Sequence, residues 1–596
     1  MKAIATAFGL IPVDLKGRFY RVVVLATLVA ILEMLGVASI MPFVAMLTDP
    51  VAFERSLASS PVGHLLPTGK GLPPVHVLGL FVIAVFATTN ILSLVSLWAS
   101  IRFSALLGVR MSHDLAEGYF RKGYLFLQSV GAGVLANDVT RETEKLAVCS
   151  VLQLCLIISK LVQVLLVVSL LAAVSPVFML AFSGGALFLY VAIYAAMRGH
   201  VSRAGFESTK AVAESSRKAF DLFSAAKNVL IGGHVVHFIR NVENASSRYF
   251  KADAVGRLAP VLPRYLIELV AFSALLAVPI YRSATGAEYQ SVVPVITLFA
   301  YAGYRILPAI QQLYGSYSIL KFYDPLAQRV SAAIQSGQAA AVRPETERIQ
   351  RIESGIELKK VCCRYPEQEA FALQDLDLRI ERNDKLAIIG SSGAGKSTLM
   401  DVLLGIVPIT GGEISVGSVV LTDSEIPWSG SIIGYVPQAP LMISASVAEN
   451  IAFGVPVEDI DLKRCREAAQ LACVDDVINQ LPEGYSTVLG EGVNLSGGES
   501  QRIAIARALY KAPQILFMDE PSSALDPMIS SRVVQNLCSL EPDVTLIVVT
   551  HDWELLPVFS KIAVVDEGRV VAHGQPDELA PVIALLREKL VAASEN

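Results

Sequence analysis

Gly390-Ser391-Ser392-Gly393-Ala394-Gly395-Lys396-Ser397 follows the apolar run Lys385-Leu386-Ala387-Ile388-Ile389 and leads into Thr398-Leu399-Met400-Asp401-Val402-Leu403-Leu404. The order is buried strand, glycine loop, helix, and the loop fits the G-x-x-x-x-G-K-[ST] pattern in full. Glycines let backbone N–H groups wrap a phosphate. A lysine at this place reaches the outer phosphates, and the hydroxyl beside it ligates Mg²⁺. The expected phosphate contacts are Gly390, Ser391, Ser392, Gly393, Ala394, Gly395, Lys396, Ser397 and Thr398, with Ser397 as a metal ligand.

Two later stretches supply reactive groups. Ile515-Leu516-Phe517-Met518-Asp519-Glu520 reads as a second buried strand ending in two carboxylates. Such a pair can divide the work: one carboxylate serves Mg²⁺ and the other polarises the attacking water. His551 closes another apolar strand, Leu546-Ile547-Val548-Val549-Thr550. Its place after Asp519-Glu520 fits a γ-phosphate contact.

Composition sets the setting. The chain has 596 residues, too many for one core, and it is 53% hydrophobic with only 17% charged residues. A mean hydropathy of +0.53 is too apolar for a soluble chain of this size. The apolar runs concentrate in the first half, and the chain from about Gly355 reads as a soluble α/β domain. A net charge of −5 gives no argument for a nucleic-acid partner. The seven cysteines show no metal-ligand spacing and are expected as free thiols.

A span needs roughly 20 apolar residues. Six candidates lie near 19–47, 76–107, 147–173, 176–197, 260–282 and 290–316. Before them, residues after Lys2 suggest an amphipathic helix at the membrane surface. The segments 108–146 and 198–257 are rich in Arg and Lys, whereas the 48–75 loop holds only Arg55 and Lys70. The positive-inside rule puts both basic segments in the cytoplasm, on the same side as the nucleotide loop. Ionisable residues within spans cost about 2.5–3.5 kcal/mol on insertion scales and so need a reason. Glu33, Arg264, Glu268 and Arg305 are the notable ones. Arg264 and Glu268 share a helix face and suit an internal ion pair. Arg305 suits either a partner such as Glu33 or a water-filled cavity, where guanidinium matches an anionic cargo.

Taken together, the motifs resemble the nucleotide-binding domain of ATP-binding-cassette (ABC) proteins over about 355–580. Leu495-Ser496-Gly497-Gly498-Glu499 is similar to the family's signature, followed by a helix expected from Ser500 to Tyr510. Glutamate stands at 499 where the family usually has glutamine. The resemblance makes Tyr365 the aromatic that stacks on adenine, Gln438 the residue linking nucleotide, Mg²⁺ and membrane domain, and Asp519 the metal-site carboxylate. It makes Glu520 the catalytic glutamate, His551 the switch histidine, and Asp526, in Ser523-Ala524-Leu525-Asp526, part of the loop between sites. ATP and Mg²⁺ are the implied cofactors.

Six helical spans fused to one α/β P-loop ATPase domain resemble the ABC exporter half-transporter. The implied division is a transmembrane domain over 1–336, a linker over 337–354 and the nucleotide-binding domain over 355–596. That architecture implies a homodimer in which Lys396 of one chain meets Ser496, Gly497 and Gly498 of the other. It also implies that the 198–257 segment offers a short coupling helix to the partner's ATPase domain.

Ile31-Leu32-Glu33-Met34-Leu35-Gly36 through Pro42-Phe43 resembles the start of lipid-linked oligosaccharide flippases of the bacterial PglK type. Val51 to Leu66, expected as a short external helix, Pro263-Arg264-Tyr265 and Tyr304-Arg305-Ile306 resemble the same type. The resemblance implies membrane lipid and a polyprenyl-pyrophosphate-linked glycan as partners, with Glu33, Arg264 and Arg305 near the cargo, in a bacterial inner membrane. Another lipid, a peptide or a drug remains open as cargo, and so does a nucleotide-regulated protein that transports nothing.

Overall fold

The computed structural model describes residues 2–48, 74–174, 176–262, 265, 268, 273, 289–339, 348–365, 368–417, 419–421, 427–490, 493, 495–539 and 544–594. It divides into two units, Met1–Lys122 with Phe126–Ala340, and Gly123–Leu125 with Ala341–Asn596.

The first unit is helical because its apolar runs carry few breakers. Its helices include α1 (Lys2–Gly9), α2 (Val13–Thr48), α3 (Pro74–Arg121), α4 (Gln153–Val174), α5 (Pro176–Ser224), α6 (Ala226–Ile231), α7 (Val235–Leu258) and α8 (Tyr289–Ala339), with short helical segments from Tyr124 to Leu152 leading into α4. Prolines open α3 and α5, where a missing N–H goes unused. Among the described residues, three helical stretches are long and apolar enough to cross a membrane: Val13–Leu47, Val75–Arg121 and Ala132–Ala173. The spans expected at 176–197 and 290–316 lie within α5 and α8. The one expected at 260–282 falls largely outside the described residues, as does the helix expected from Val51 to Leu66.

Two expectations change. The apolar side of the N-terminal segment, from α1 into α2, packs on protein. Ala7, Leu10, Ile11 and Leu15 are buried in a cluster with Leu107, Leu115, Leu154 and Leu326 from α3, α4 and α8. The start of the linker expected over 337–354 is helical through Ala339. Gly337 is there because α8 crosses α3 at Gly118. A Cβ on Gly337 would lie 2.3 Å from the Gly118 Cα, so the glycine serves close packing and not flexibility.

The second unit holds two sheets. Strands β1 (Ile356–Cys363), β2 (Leu373–Ile380), β4 (Gly411–Val416) and β5 (Val419–Leu421) form an antiparallel sheet in the order β2-β1-β4-β5. Strands β3 (Lys385–Gly390), β6 (Ile433–Val436), β7 (Ile515–Asp519), β8 (Thr545–Val549), β9 (Lys561–Asp566) and β10 (Arg569–Gly574) form the second, in the order β10-β9-β3-β8-β7-β6. All neighbours in it are parallel except β9 and β10. Its central strands are continuous apolar runs, with β8 buried at every residue, as a sheet covered on both faces requires. The covering helices include α9 (Lys396–Leu404), α10 (Val447–Ile451), α11 (Leu462–Leu471), α12 (Gly497–Tyr510), α13 (Pro527–Cys538) and α14 (Pro576–Ser594). Ligands of open parallel sheets gather at the carboxyl ends of the strands. In this unit those ends carry the residues singled out by their chemistry.

Candidate active site

The glycine loop begins where β3 ends. Gly390 lies so close to β9 that a Cβ would sit 2.1 Å from the Val565 carbonyl oxygen. Gly395, at φ +101°, turns the chain into α9, whose start has no side-chain cap. Its first N–H groups are therefore available to an anion. The Lys396 amine is folded back on the loop, donating to the carbonyls of Gly390 (3.0 Å) and Ser391 (2.7 Å). Burial pulls its pKa down, and the charges of Glu520 and Asp519 oppose that pull. The Ser391 hydroxyl donates to Asp566 at 3.4 Å, and the Tyr365 hydroxyl lies 3.3 Å from the Thr398 hydroxyl. Tyr365 is thus held at the first turn of α9, beside Ser397.

Three neighbouring parallel strands bring Gln438, Glu520 and His551 together. Gln438 follows β6, Glu520 follows β7 and His551 follows β8. Gln438 Nε2 donates to Glu520 Oε2 at 2.7 Å, and His551 Nε2 lies 2.9 Å from Glu520 Oε1. Both oxygens of one carboxylate are clasped from the two flanking strands. Glu520 itself has φ +46° and donates its N–H to Val549 O at 2.9 Å. A non-glycine residue in this left-handed region costs of order 1 kcal/mol or more, which the flanking strands offset.

Asp519 sits half-buried at the end of β7. Burial raises its pKa, the Glu520 charge raises it further, and Lys396 and His551 work against the rise. Two adjacent carboxylates in a sheltered place fit a dication, which would relieve both. The available atoms are hard oxygens: the Ser397 hydroxyl, the Asp519 carboxylate and the amide oxygen of Gln438, whose nitrogen is taken by Glu520. That donor set suits Mg²⁺.

Asp401 is a group that the sequence reading passed over. Burial, followed by the charge of Asp519, pushes its pKa up to about 6. Its spacing of four from Ser397 places both on one face of α9, and that periodicity was the available signal.

A second group forms at the start of α12. The helix begins at Gly497, three residues before the expected Ser500, because Ser496 caps it. The Ser496 hydroxyl accepts from Glu499 N (3.3 Å), and Glu499 Oε2 accepts from Ser496 N (2.8 Å). This reciprocal capping box explains why glutamate is acceptable at 499: glutamine and glutamate both present the needed oxygen. Glu499→Ala is expected to weaken the first turn by about 1 kcal/mol, or roughly fivefold faster local amide exchange, with Glu499→Gln close to the parent. Equal exchange in all three proteins would remove the cap from the account.

Gly498 packs on the following loop, where a Cβ would lie 2.8 Å from the Ala524 carbonyl oxygen. Asp526 ends that loop, and its carboxylate accepts from Met528 N at 2.9 Å, capping α13. Gln501, one turn into α12, donates to Pro437 O at 3.3 Å, next to Gln438. Among the described residues, no hydrogen bond or ion pair joins Ser496–Glu499 to the Lys396 loop. The Lys396 loop and the Ser496–Glu499 helix start are two separate groups.

In the helical unit, Glu33 is 8% exposed and its carboxylate accepts from Ser93 Oγ at 2.8 Å. Arg305 Nε donates to the Tyr301 hydroxyl at 2.9 Å, and its guanidinium lies over the rings of Phe86 (5.5 Å) and Tyr301 (5.8 Å). The structure thus gives Glu33 and Arg305 different partners and does not pair them. Arg264 lies outside the described residues.

Residues 373–523 match the family model described as "ABC transporter". A putative multidrug export ATP-binding/permease protein of Bacillus subtilis is 32% identical over 286 residues, covering 48% of this chain and 49% of the relative. An ATP-dependent lipid A-core flippase of Cupriavidus pinatubonensis is 35% identical over 234 residues, 39% of this chain and 40% of the relative. The chain spans about half the length, or less, of these two relatives. A solved bacterial Atm1-family ABC exporter with ATP bound superposes with a TM-score of 0.77 at 19% identity, covering 98% of this chain and 99% of that one.

Proposed function

We propose that this chain, which carries an ABC transporter ATPase domain on the fold of an ABC exporter, is one half of a homodimeric, ATP-driven flippase. The observation that carries the reading is the separation of the two half-sites. A Lys396 loop with its carboxylates and a Ser496–Glu499 helix start, unjoined within one chain, are each completed by a second copy. The membrane domain is taken as 1–336, the linker as 337–354 and the nucleotide-binding domain as 355–596, with the ATPase domain in the cytoplasm and the spans in a bacterial inner membrane.

The chemistry assigned to each residue follows from its position. Loop N–H groups from Gly390 to Thr398 bind the phosphates, and Tyr365 stacks on adenine. Lys396 leaves the carbonyls of Gly390 and Ser391 for the outer phosphates, which are stronger acceptors for an ammonium. Ser397, Asp519 and Gln438 would hold Mg²⁺, which neutralises charge on the phosphates. Gln438 would serve there through its amide oxygen while its nitrogen holds Glu520. The Glu520 carboxylate accepts the proton of the attacking water, while His551 keeps it oriented and faces the γ-phosphate. The partner's Ser496, Gly497 and Gly498 close over that phosphate with the N-terminal dipole of α12, beside Asp526. The exposed apolar residues Leu230, Ile231 and Val236, at the turn from α6 into α7, suit docking on the partner's ATPase domain.

The proposed cargo is a polyprenyl-pyrophosphate-linked oligosaccharide in the lipid bilayer. Arg305 supports an anionic cargo: aromatic rings and one phenol hold its guanidinium, with donors left over for a pyrophosphate. Glu33 and Arg264 belong to the same proposed path. In proteoliposomes, replacing both Arg264 and Arg305 with alanine is expected to lower lipid-linked glycan flipped per ATP hydrolysed at least tenfold, the loss of one or two charge-assisted contacts. An unchanged ratio would reject these arginines as the cargo site.

A further inference from the structure

We propose that Gln514 is a positioning residue for the hydrolytic carboxylates, acting through a strap formed by Ile349–Ile352. The proposal rests on the reading of this domain as an ATPase.

The strap precedes β1 in the second unit. Ile349 pairs with Trp428 as a parallel bridge: Ile349 N donates to Pro427 O (2.8 Å), and Ser429 N donates to Ile349 O (3.0 Å). Ile352 N then donates to the side-chain oxygen of Gln514 at 2.9 Å, and the Ile352 side chain is buried. The backbone of Gln514 is itself fixed on both sides. Its N–H donates to Ile432 O and its carbonyl accepts from Thr545 N, each at 2.8 Å.

These contacts fall at the rear ends of the elements whose front ends form the candidate site. Ile432 opens β6, which leads to Gln438. Gln514 opens β7, which leads to Asp519 and Glu520. Trp428 is buried, and its Nε1 donates to Leu403 O (2.9 Å) at the end of α9, the helix that starts at Lys396. The Trp428 ring also lies 6.3 Å from that of Phe517, inside β7. One short segment therefore holds the back of the glutamine strand, the carboxylate strand and the phosphate-loop helix. A five-residue strand spans about 17 Å and, hydrogen-bonded on both sides, transmits a displacement instead of absorbing it. A displacement of the strap would be felt at Gln438, Glu520 and Lys396 together. Through its side chain Gln514 ties the start of β7 to the strap.

The test uses the full-length protein in nanodiscs with three chains: parent, Gln514→Leu and Gln514→Glu. Leucine removes the acceptor for Ile352 N–H, and glutamate restores one. For Gln514→Leu, kcat for ATP is expected to fall about threefold to tenfold, the scale of one lost buried hydrogen bond, with KM unchanged. Amide exchange should rise in 349–352 and 519–523 but not in α11. Gln514→Glu should recover both. Parent kcat in Gln514→Leu, or kcat and KM falling together with exchange raised throughout the domain and no rescue by glutamate, would overturn the proposal. A parent that hydrolyses no ATP would instead defeat the functional reading. The exchange pattern then decides the strap alone, and exchange in Gln514→Leu equal to the parent's would overturn it.

Discussion

Glu520→Gln is expected to cut ATP turnover by about a hundredfold to a thousandfold, within the range that a positioned general base supplies. The substitution keeps shape and leaves the φ of +46° at the same cost, so the strand tip stays in place. An amide oxygen can still accept from Gln438, but the group facing His551 becomes a donor or a weaker acceptor. What is lost is the ability to take a proton from water. ATP affinity should hold, because no contact of the Lys396 loop is altered, and the ATP-bound dimer should accumulate. Phosphate release and nucleotide trapping by the purified full-length protein check both halves. Turnover within about threefold of the parent would remove Glu520 from the role assigned to it.

Gly498→Val is expected to block the other half-site. Its Cβ would press on the Ala524 carbonyl at 2.8 Å, and backbone must move because no flexible side chain lies there to yield. Overpacking of this kind costs about 1–3 kcal/mol; felt in the closed, hydrolytic dimer, it converts to a loss of roughly fivefold to 150-fold in forming that state. The Lys396 loop is not touched. Binding of ATP to separated chains should therefore be near that of the parent while turnover falls. Gly498→Ala should fall less far, since it adds the Cβ alone and not the two further methyl groups of valine. Parent turnover in Gly498→Val would mean that α12 and the Ala524 loop do not meet the second chain as proposed. Together the two variants separate the half-sites: one stops chemistry after closure, the other stops closure.

Much of the ATPase unit was legible because its signals are local. The strand–loop–helix around Lys396, the carboxylate pair ending β7 and the apolar strand before His551 need only short windows of sequence. Three features were not legible, each for a physical reason. Gly337 lies in a stretch of small and polar residues, which reads as a linker until Gly118 is seen opposite it on another helix. The start of α12 at Gly497 depends on a reciprocal cap, and the two glycines after Ser496 argue against helix on propensity alone. Glu33 and Arg305 have opposite charges, and their sequence separation says nothing of Ser93 and Tyr301, which take those contacts instead. Contacts between distant segments are decided by packing, and a single sequence does not list them. The helical unit was harder for the same reason: apolarity marks a span, while its neighbours are set by shape.

The carboxylate of Glu499 completes a helix cap, but it also stands as a full negative charge at the face that must approach a nucleotide's phosphates. Closing the proposed dimer would then bring like charges together, partly cancelling the attraction of the helix end. Mobile ions shorten the reach of such repulsion to about 8 Å at physiological ionic strength and about 3 Å at 1 M. In this chain, salt would relieve a repulsion that a glutamine-bearing counterpart lacks, so that the counterpart would only lose helix-end attraction as salt rises. The rate of ATP-driven closure would carry an ionic signature written by a single residue.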